Sequence, residues 1–296
     1  MHPRTEGFQR CLSFQLSVDP RARVNVYRDY LGNSVHHFDV PAKHTELAIL
    51  AESLVEMETP AALPEGLGSG AWDELDALVA AGDYWEMLMP SFFACPSEAL
   101  SELTQELQVQ RRGDPLTFLR ELNAAVYGWF DYVPKSTQVD SPIDHAIETG
   151  KGVCQDFAHI MIALIRHVRI PCRYVSGYVY PREEKGDRSS DGATHAWVEA
   201  LVPGYGWVGF DPTSNLTAGE RHIRTAIGRD YADVPPTKGI FKGKAASELA
   251  VSVRVTPSDA PPPPDADLRV APDWTSAAAP AELPFEDIHA QQQQQQ

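Results

Sequence analysis

The chain has 296 residues, 43% of them apolar, enough for one large or two modest domains with a real core. Its 25 basic and 41 acidic residues give a formal net charge of -16, which repels nucleic acid and anionic membranes and argues against both as partners. No apolar run is long enough to span a membrane and the N-terminus has no hydrophobic signal region, so a cytoplasmic protein is expected.

Residues 1–58 read as a small β-domain. Residues 8–19 alternate, with Cys11, Ser13, Gln15 and Ser17 set against Leu12, Phe14, Leu16 and Val18, as in a half-buried strand. Residues 22–27, 34–41 and 44–58 read as three more strands, with a turn at 30–33. Four strands with short turns predict a sandwich or sheet. His36 and His37 are adjacent and point to opposite faces. With His44 they are read as surface residues, not as a metal site.

Residues 59–71 are rich in Pro, Gly and Ala and read as a linker. The predicted second domain runs from 72 to 256. Residues 72–81 form a short helix, and the Met- and Phe-containing stretch 87–95 packs between the domains. Ser97 caps a helix that runs to Val109. Asp114 caps the next, with Pro115 at its first position and Leu116, Leu119, Leu122, Ala125 and Val126 as its apolar stripe. Residues 143–148 are a short helix, ended by Gly150 and Gly152.

The next stretch organises the chain. Gly150-Lys-Gly-Val-Cys154 is a glycine-rich turn. Phe157, Ile160, Met161, Leu164 and Val168 then repeat at helical spacing. Cys154 should sit at the start of a buried helix, where unpaired amides and the helix dipole favour a thiolate. The competing reading is a packed core cysteine. Cys11, Cys95 and Cys172 lie far apart without zinc-finger spacing, so a reducing compartment is the better reading. His159 falls about 140° off the Cys154 face of the helix and is not the expected base. Asp156 is expected to turn away from the thiol into core hydrogen bonds.

Three strands follow. Residues 172–180 form one and residues 194–201 another, with His195, Trp197 and Glu199 on one face. A tight turn at 203–206 leads to 207–212, which places Asp211 at a strand end. Cysteine, histidine and aspartate in this order suit a nucleophile, its base and the group that orients the base. The loop between the first two strands carries Asp187, Arg188, Asp191 and Gly192 and reads as a polar lip of the cleft. Residues 251–255 alternate cleanly and are expected to add to the core sheet as an edge strand.

Several motifs carry a resemblance: Gly-Val-Cys-Gln-Asp-Phe-Ala-His, Tyr-Val-Ser-Gly-Tyr, His-Ala-Trp-Val-Glu, Trp-Val-Gly-Phe-Asp-Pro-Thr, His222-Ile-Arg and the run 228–236. Over about 115–240 the chain resembles the bacterial transglutaminase-like superfamily, and the region before 60 resembles the β-domain that precedes this core. The resemblance implies an α+β, papain-like core with a catalytic helix on an antiparallel sheet. It implies Cys154 as nucleophile, His195 as base and Asp211 as third member. The Cys154 amide would serve as one oxyanion donor, with Tyr132 or Gln138 as candidates for the second. Trp197 and Trp207 are candidates for the substrate channel, with plain packing as the alternative.

The expected activity is hydrolysis of an amide bond in a peptide, protein or peptide-like small molecule through a Cys154 thioester. The alternatives are a protein-glutamine γ-glutamyltransferase and a non-catalytic binding scaffold. No cofactor is expected. Cys154, His195 and Asp211 could in principle bind zinc, but three ligands at a helix start are better explained by thiolate activation, so no metal is expected either. Residues 257–296, with Pro261 to Pro264 and a terminal run of six glutamines, are expected to be a disordered tail.

Overall fold

The structure is a computed structural model that describes residues 1–180, 188, 193–243 and 249–259. The predicted tail therefore lies almost wholly outside the described residues, as does most of the polar loop.

The N-terminal region is all β. It contains β1 (Gln9–Asp19), β2 (Asn25–Arg28), β3 (Ser34–His37) and β4 (Ala48–Met57). The strands pair as two antiparallel ribbons, β1 with β4 and β2 with β3, rather than as one four-stranded sheet. The reason lies in what the short hairpin is tied to. Asn33, just before β3, accepts the Ile227 amide at 2.9 Å and donates to the Ile227 carbonyl at 2.8 Å. Arg4 donates its amide to the Arg224 carbonyl, and Gln9 bonds both the amide and the carbonyl of Arg224. These anchors hold the N-terminal region to the core domain. His2, Phe14 and His36 meet between the two ribbons, with ring centroids 4.3 to 5.8 Å apart.

The core is α+β. Helices α1 (Ala71–Ala80), α2 (Glu98–Glu106) and α3 (Pro115–Trp129) lead to a two-residue parallel pair, β5 (Asp131–Tyr132) and β6 (Lys151–Gly152), with α4 (Ile143–Thr149) between them. The expected caps are present. Ser97 Oγ accepts the Leu100 amide, and Asp114 Oδ1 accepts the amides of Leu116 and Thr117. Ser97 also donates to Asp144, joining α2 to α4.

Helix α5 (Cys154–His167) is the hub, buried along its whole length from Cys154 to Arg166. Phe157, Ile160, Met161 and Leu164, the residues whose spacing predicts the helix, have no exposed surface. The helix packs on an antiparallel sheet of β7 (Cys172–Val179), β8 (His195–Val202), β9 (Gly206–Asp211), β10 (Leu216–Thr217) and β11 (His222–Gly228), in the order β10-β9-β8-β7-β11. Residues 251–255 do not join this sheet. The outer position beside β7 is filled by β11, in a ladder running from His222↔Val179 to Gly228↔Tyr174.

Candidate active site

Three elements converge at the end of the sheet. Cys154 is the first residue of α5, after Val153 as its cap. His195 opens β8 opposite Gly177 of β7, and Asp211 closes β9. Gly177 is glycine for a steric reason. A Cβ there would lie 2.2 Å from the Ile223 carbonyl oxygen and 2.6 Å from the Trp197 ring, so any side chain would push the strands or the indole away from His195.

His195 Nε2 lies 2.9 Å from Asp211 Oδ2, with both side chains buried. Cys154 is close enough to the same imidazole to favour its charged form. With Nε2 engaged by Asp211, Nδ1 is the ring nitrogen left for a second partner. Asp211 Oδ1 accepts the Thr213 amide at 2.9 Å, which fixes the carboxylate plane. The imidazole and the carboxylate meet directly, and Cys154 starts the helix that packs on the same sheet.

The electrostatics follow from burial. Desolvation opposes a charge on His195, but the Asp211 carboxylate outweighs it and raises the imidazole to about 10. Desolvation likewise opposes charge on Asp211, yet His195 and then His222 hold it well below the usual carboxylate range. The imidazolium's contribution to stability is therefore complete below the ordinary imidazole range and fades as pH rises towards about 10. The contribution of Asp211 is complete above the usual carboxylate range and is lost only in strong acid.

His159 has no part in this. Its Nε2 accepts the Tyr231 amide at 3.1 Å, its ring stacks on Phe93, and burial lowers it to about 3, so it is neutral. The other thiols differ from Cys154 in setting. Cys172 is buried and raised to about 11, burial raises Cys11, and Cys95 is exposed.

The turn before α5 is held by Asp156. Its Oδ2 accepts the Val153 amide at 2.8 Å and the Thr137 hydroxyl at 2.6 Å, while Gln155 Nε2 donates to the Val139 carbonyl at 2.9 Å. Burial raises Asp156 to about 6, against the opposing effect of the Thr137 and Val153 donors. A carboxyl raised on folding favours the folded state when protonated, and that advantage is lost as pH climbs through about 6. Asp156→Asn keeps an acceptor oxygen and removes the charge. It should match or exceed the parent at pH 7.5, by up to ~3 kcal/mol, with the gap closing at pH 4.5. Asp156→Ala should lose about 1–3 kcal/mol for each abandoned donor. Urea denaturation at the two pH values separates these outcomes.

The remaining sequence candidates are placed as follows. Tyr132 is half-buried, with its ring stacked on Phe157 at 6.4 Å. Gln138 is exposed, and its amide donates to Ser141 Oγ. Trp197 is fully buried, its ring 6.2 Å from that of His195. Trp207 lies further along the sheet, under the Arg173 guanidinium at 4.4 Å and edge-on to Tyr84. Of the polar lip, Arg188 is described. Its guanidinium donates to the Tyr127 and Phe130 carbonyls at the end of α3 and lies 4.0 Å over the Tyr127 ring. Asp187, Asp191 and Gly192 lie outside the described residues. Sequence reasoning assigned no role to His222, which touches Asp211. Its only signals were its place in the His222-Ile-Arg motif and the strand it begins.

Comparison with known proteins gives the family and the fold. Residues 102–212 match the family described as "Transglutaminase-like superfamily", and residues 1–56 match "Bacterial transglutaminase-like N-terminal region". A Mycobacterium leprae protein named "Uncharacterized protein ML0607" is 33% identical over 259 residues, covering 86% of this chain and 89% of that one. A Pseudomonas aeruginosa "Protein-glutamine gamma-glutamyltransferase" is 26% identical over 160 residues, 50% of this chain but only 23% of that protein. Among solved structures, a Cytophaga hutchinsonii protein proposed to be a cysteine protease shares the fold, with a TM-score of 0.63, 23% identity, and 79% of this chain and 76% of that one covered.

Proposed function

Because the chain belongs to the transglutaminase-like superfamily, we propose that it is a cysteine-dependent amide hydrolase, a peptidase or amidase, whose nucleophile is Cys154. The observation that carries this reading is the buried His195–Asp211 pair at 2.9 Å, with Cys154 at the start of the buried helix packed on that sheet and close enough to favour the charged imidazole. A structural cysteine has no need of that arrangement.

In the proposed mechanism, the Cys154 proton resides on His195 and the thiolate attacks the amide carbonyl. The Cys154 amide, one of the first-turn donors that a helix leaves unpaired, stabilises the tetrahedral oxyanion. The C–N bond breaks as His195 hands its proton to the departing nitrogen, leaving a thioester. Water then attacks the thioester, its proton passing to His195, and the carboxylic acid leaves as Cys154 recovers its thiol. Asp211 orients the imidazole and stabilises its charged form throughout.

A second reading keeps the same thioester and replaces water with a lysine amine. It is favoured by the similarity to the Pseudomonas aeruginosa γ-glutamyltransferase. Incubation with a glutamine-containing peptide library, with and without a primary-amine probe, separates the two. Cleaved peptides, or ammonia without probe incorporation, support hydrolysis. Ammonia with probe incorporation supports transfer. No product, together with an unreactive Cys154, would overturn both and leave a binding scaffold.

A further inference from the structure

The Asp211 carboxylate has a second imidazole on the oxygen that His195 uses. His222 opens β11, and its Nε2 lies 3.3 Å from Asp211 Oδ2. Its other ring nitrogen, Nδ1, accepts the Gly219 amide at 3.3 Å. A backbone amide only donates, so Nδ1 carries no proton, and a neutral His222 must carry its proton on Nε2, facing the carboxylate. The ring is 2% exposed and lies edge-on to Trp197 at 5.2 Å, which leaves it no room to swing away.

We propose that His222 is a positioning residue of this site, a tautomer-locked N–H donor that shares Asp211 Oδ2 with His195 and so limits how tightly the carboxylate holds the imidazolium. The proposal rests on the reading of Cys154, His195 and Asp211 as the reacting group.

A carboxylate oxygen that accepts a second N–H is a weaker base towards the first. The groups that face this oxygen are His195 from β8, His222 from β11 and the Thr213 amide on the companion oxygen. Cys154 reaches it through His195, and Arg221 precedes His222 in its turn. Burial, with the charges of His195 and Arg221, lowers His222 against the pull of Asp211, so it remains a neutral donor and does not compete for the positive charge. Without the donor, Asp211 should grip the imidazolium harder and His195 should keep its proton to higher pH.

Alkylation by iodoacetate reads this without any substrate. The reagent is an anion drawn to the imidazolium beside the thiolate, so its rate at Cys154 falls as His195 deprotonates. The rate is followed from about pH 5 to 11 on the Cys154 peptide by mass spectrometry, which removes interference from exposed Cys95. His222→Gln retains an N–H at the same reach and should keep the alkaline limb of the parent. His222→Phe, or His222→Leu if the ring variant does not fold, should move the limb up by about 0.5–1 pH unit, the shift expected for one lost hydrogen bond. A limb unchanged in the apolar variant, or moved equally by His222→Gln, would overturn the proposal and leave the Cys154 reading intact. A parent with no alkaline limb at Cys154 would overturn both.

Discussion

Cys154→Ala should abolish turnover, while Asp211→Ala should retain a measurable residue. The two side chains stand differently to the reaction. Cys154 forms the covalent bond in the proposed mechanism, and nothing nearby replaces its sulfur. Cys172, the other buried thiol, is bonded to the Ile162 carbonyl and raised to about 11 by burial. Asp211 acts only through His195, holding Nε2 at 2.9 Å and keeping the ring charged. In comparable triads, loss of the nucleophile costs about 10⁶ in kcat and loss of the carboxylate about 10⁴. Cys154→Ala should therefore fall to background and Asp211→Ala should not. The Asp211 variant should also lose the imidazolium at lower pH, because the charge that raises His195 to about 10 is gone. Equal residual rates in the two variants, measured on the same cleaved peptide, would remove Cys154 from the covalent role.

Glu199→Ala should cost about 3–5 kcal/mol, the largest stability loss expected from a single polar substitution outside the active site. Glu199 lies on the same strand face as His195 and Trp197. Its Oε2 accepts from Arg173 at 2.7 Å and its Oε1 from Arg224 at 3.1 Å. The three side chains are each less than a tenth exposed. Truncation would leave two guanidinium groups buried without their shared counter-ion, and that desolvation outweighs any relief of charge crowding. Glu6, the acidic partner from the N-terminal region, reaches Arg173 at 3.3 Å and is 34% exposed, so Glu6→Ala should cost less than about 1 kcal/mol. Denaturant titration of both variants at neutral pH checks the contrast. Similar losses in the two would mean that the network is not governed by burial.

The same face shows where local pattern stops being informative. Period-two alternation puts His195, Trp197 and Glu199 together, and the structure agrees. It does not say that Glu199 meets arginines from two other strands, or that Trp197 needs glycine at 177 to fit. The N-terminal strands are similar. Their existence is legible in alternation, but their pairing into two ribbons depends on Asn33, Gln9 and Arg4 finding backbone groups of β11, about 190 or more residues away.

The sequence by itself determined the helix that begins at Cys154, because a glycine turn followed by apolar residues at helical spacing has one stable way to bury itself. It also determined that His195 begins a strand and Asp211 ends one, since alternation and the turn at 203–206 are local signals. Only the tertiary structure decided what lies beside them. Antiparallel pairing of β11 with β7 completes that side of the sheet without residues 251–255 and delivers His222 to Asp211. Strand order is set by long-range burial and backbone pairing, which no window of neighbouring residues encodes. The second imidazole on the carboxylate is therefore a product of the fold.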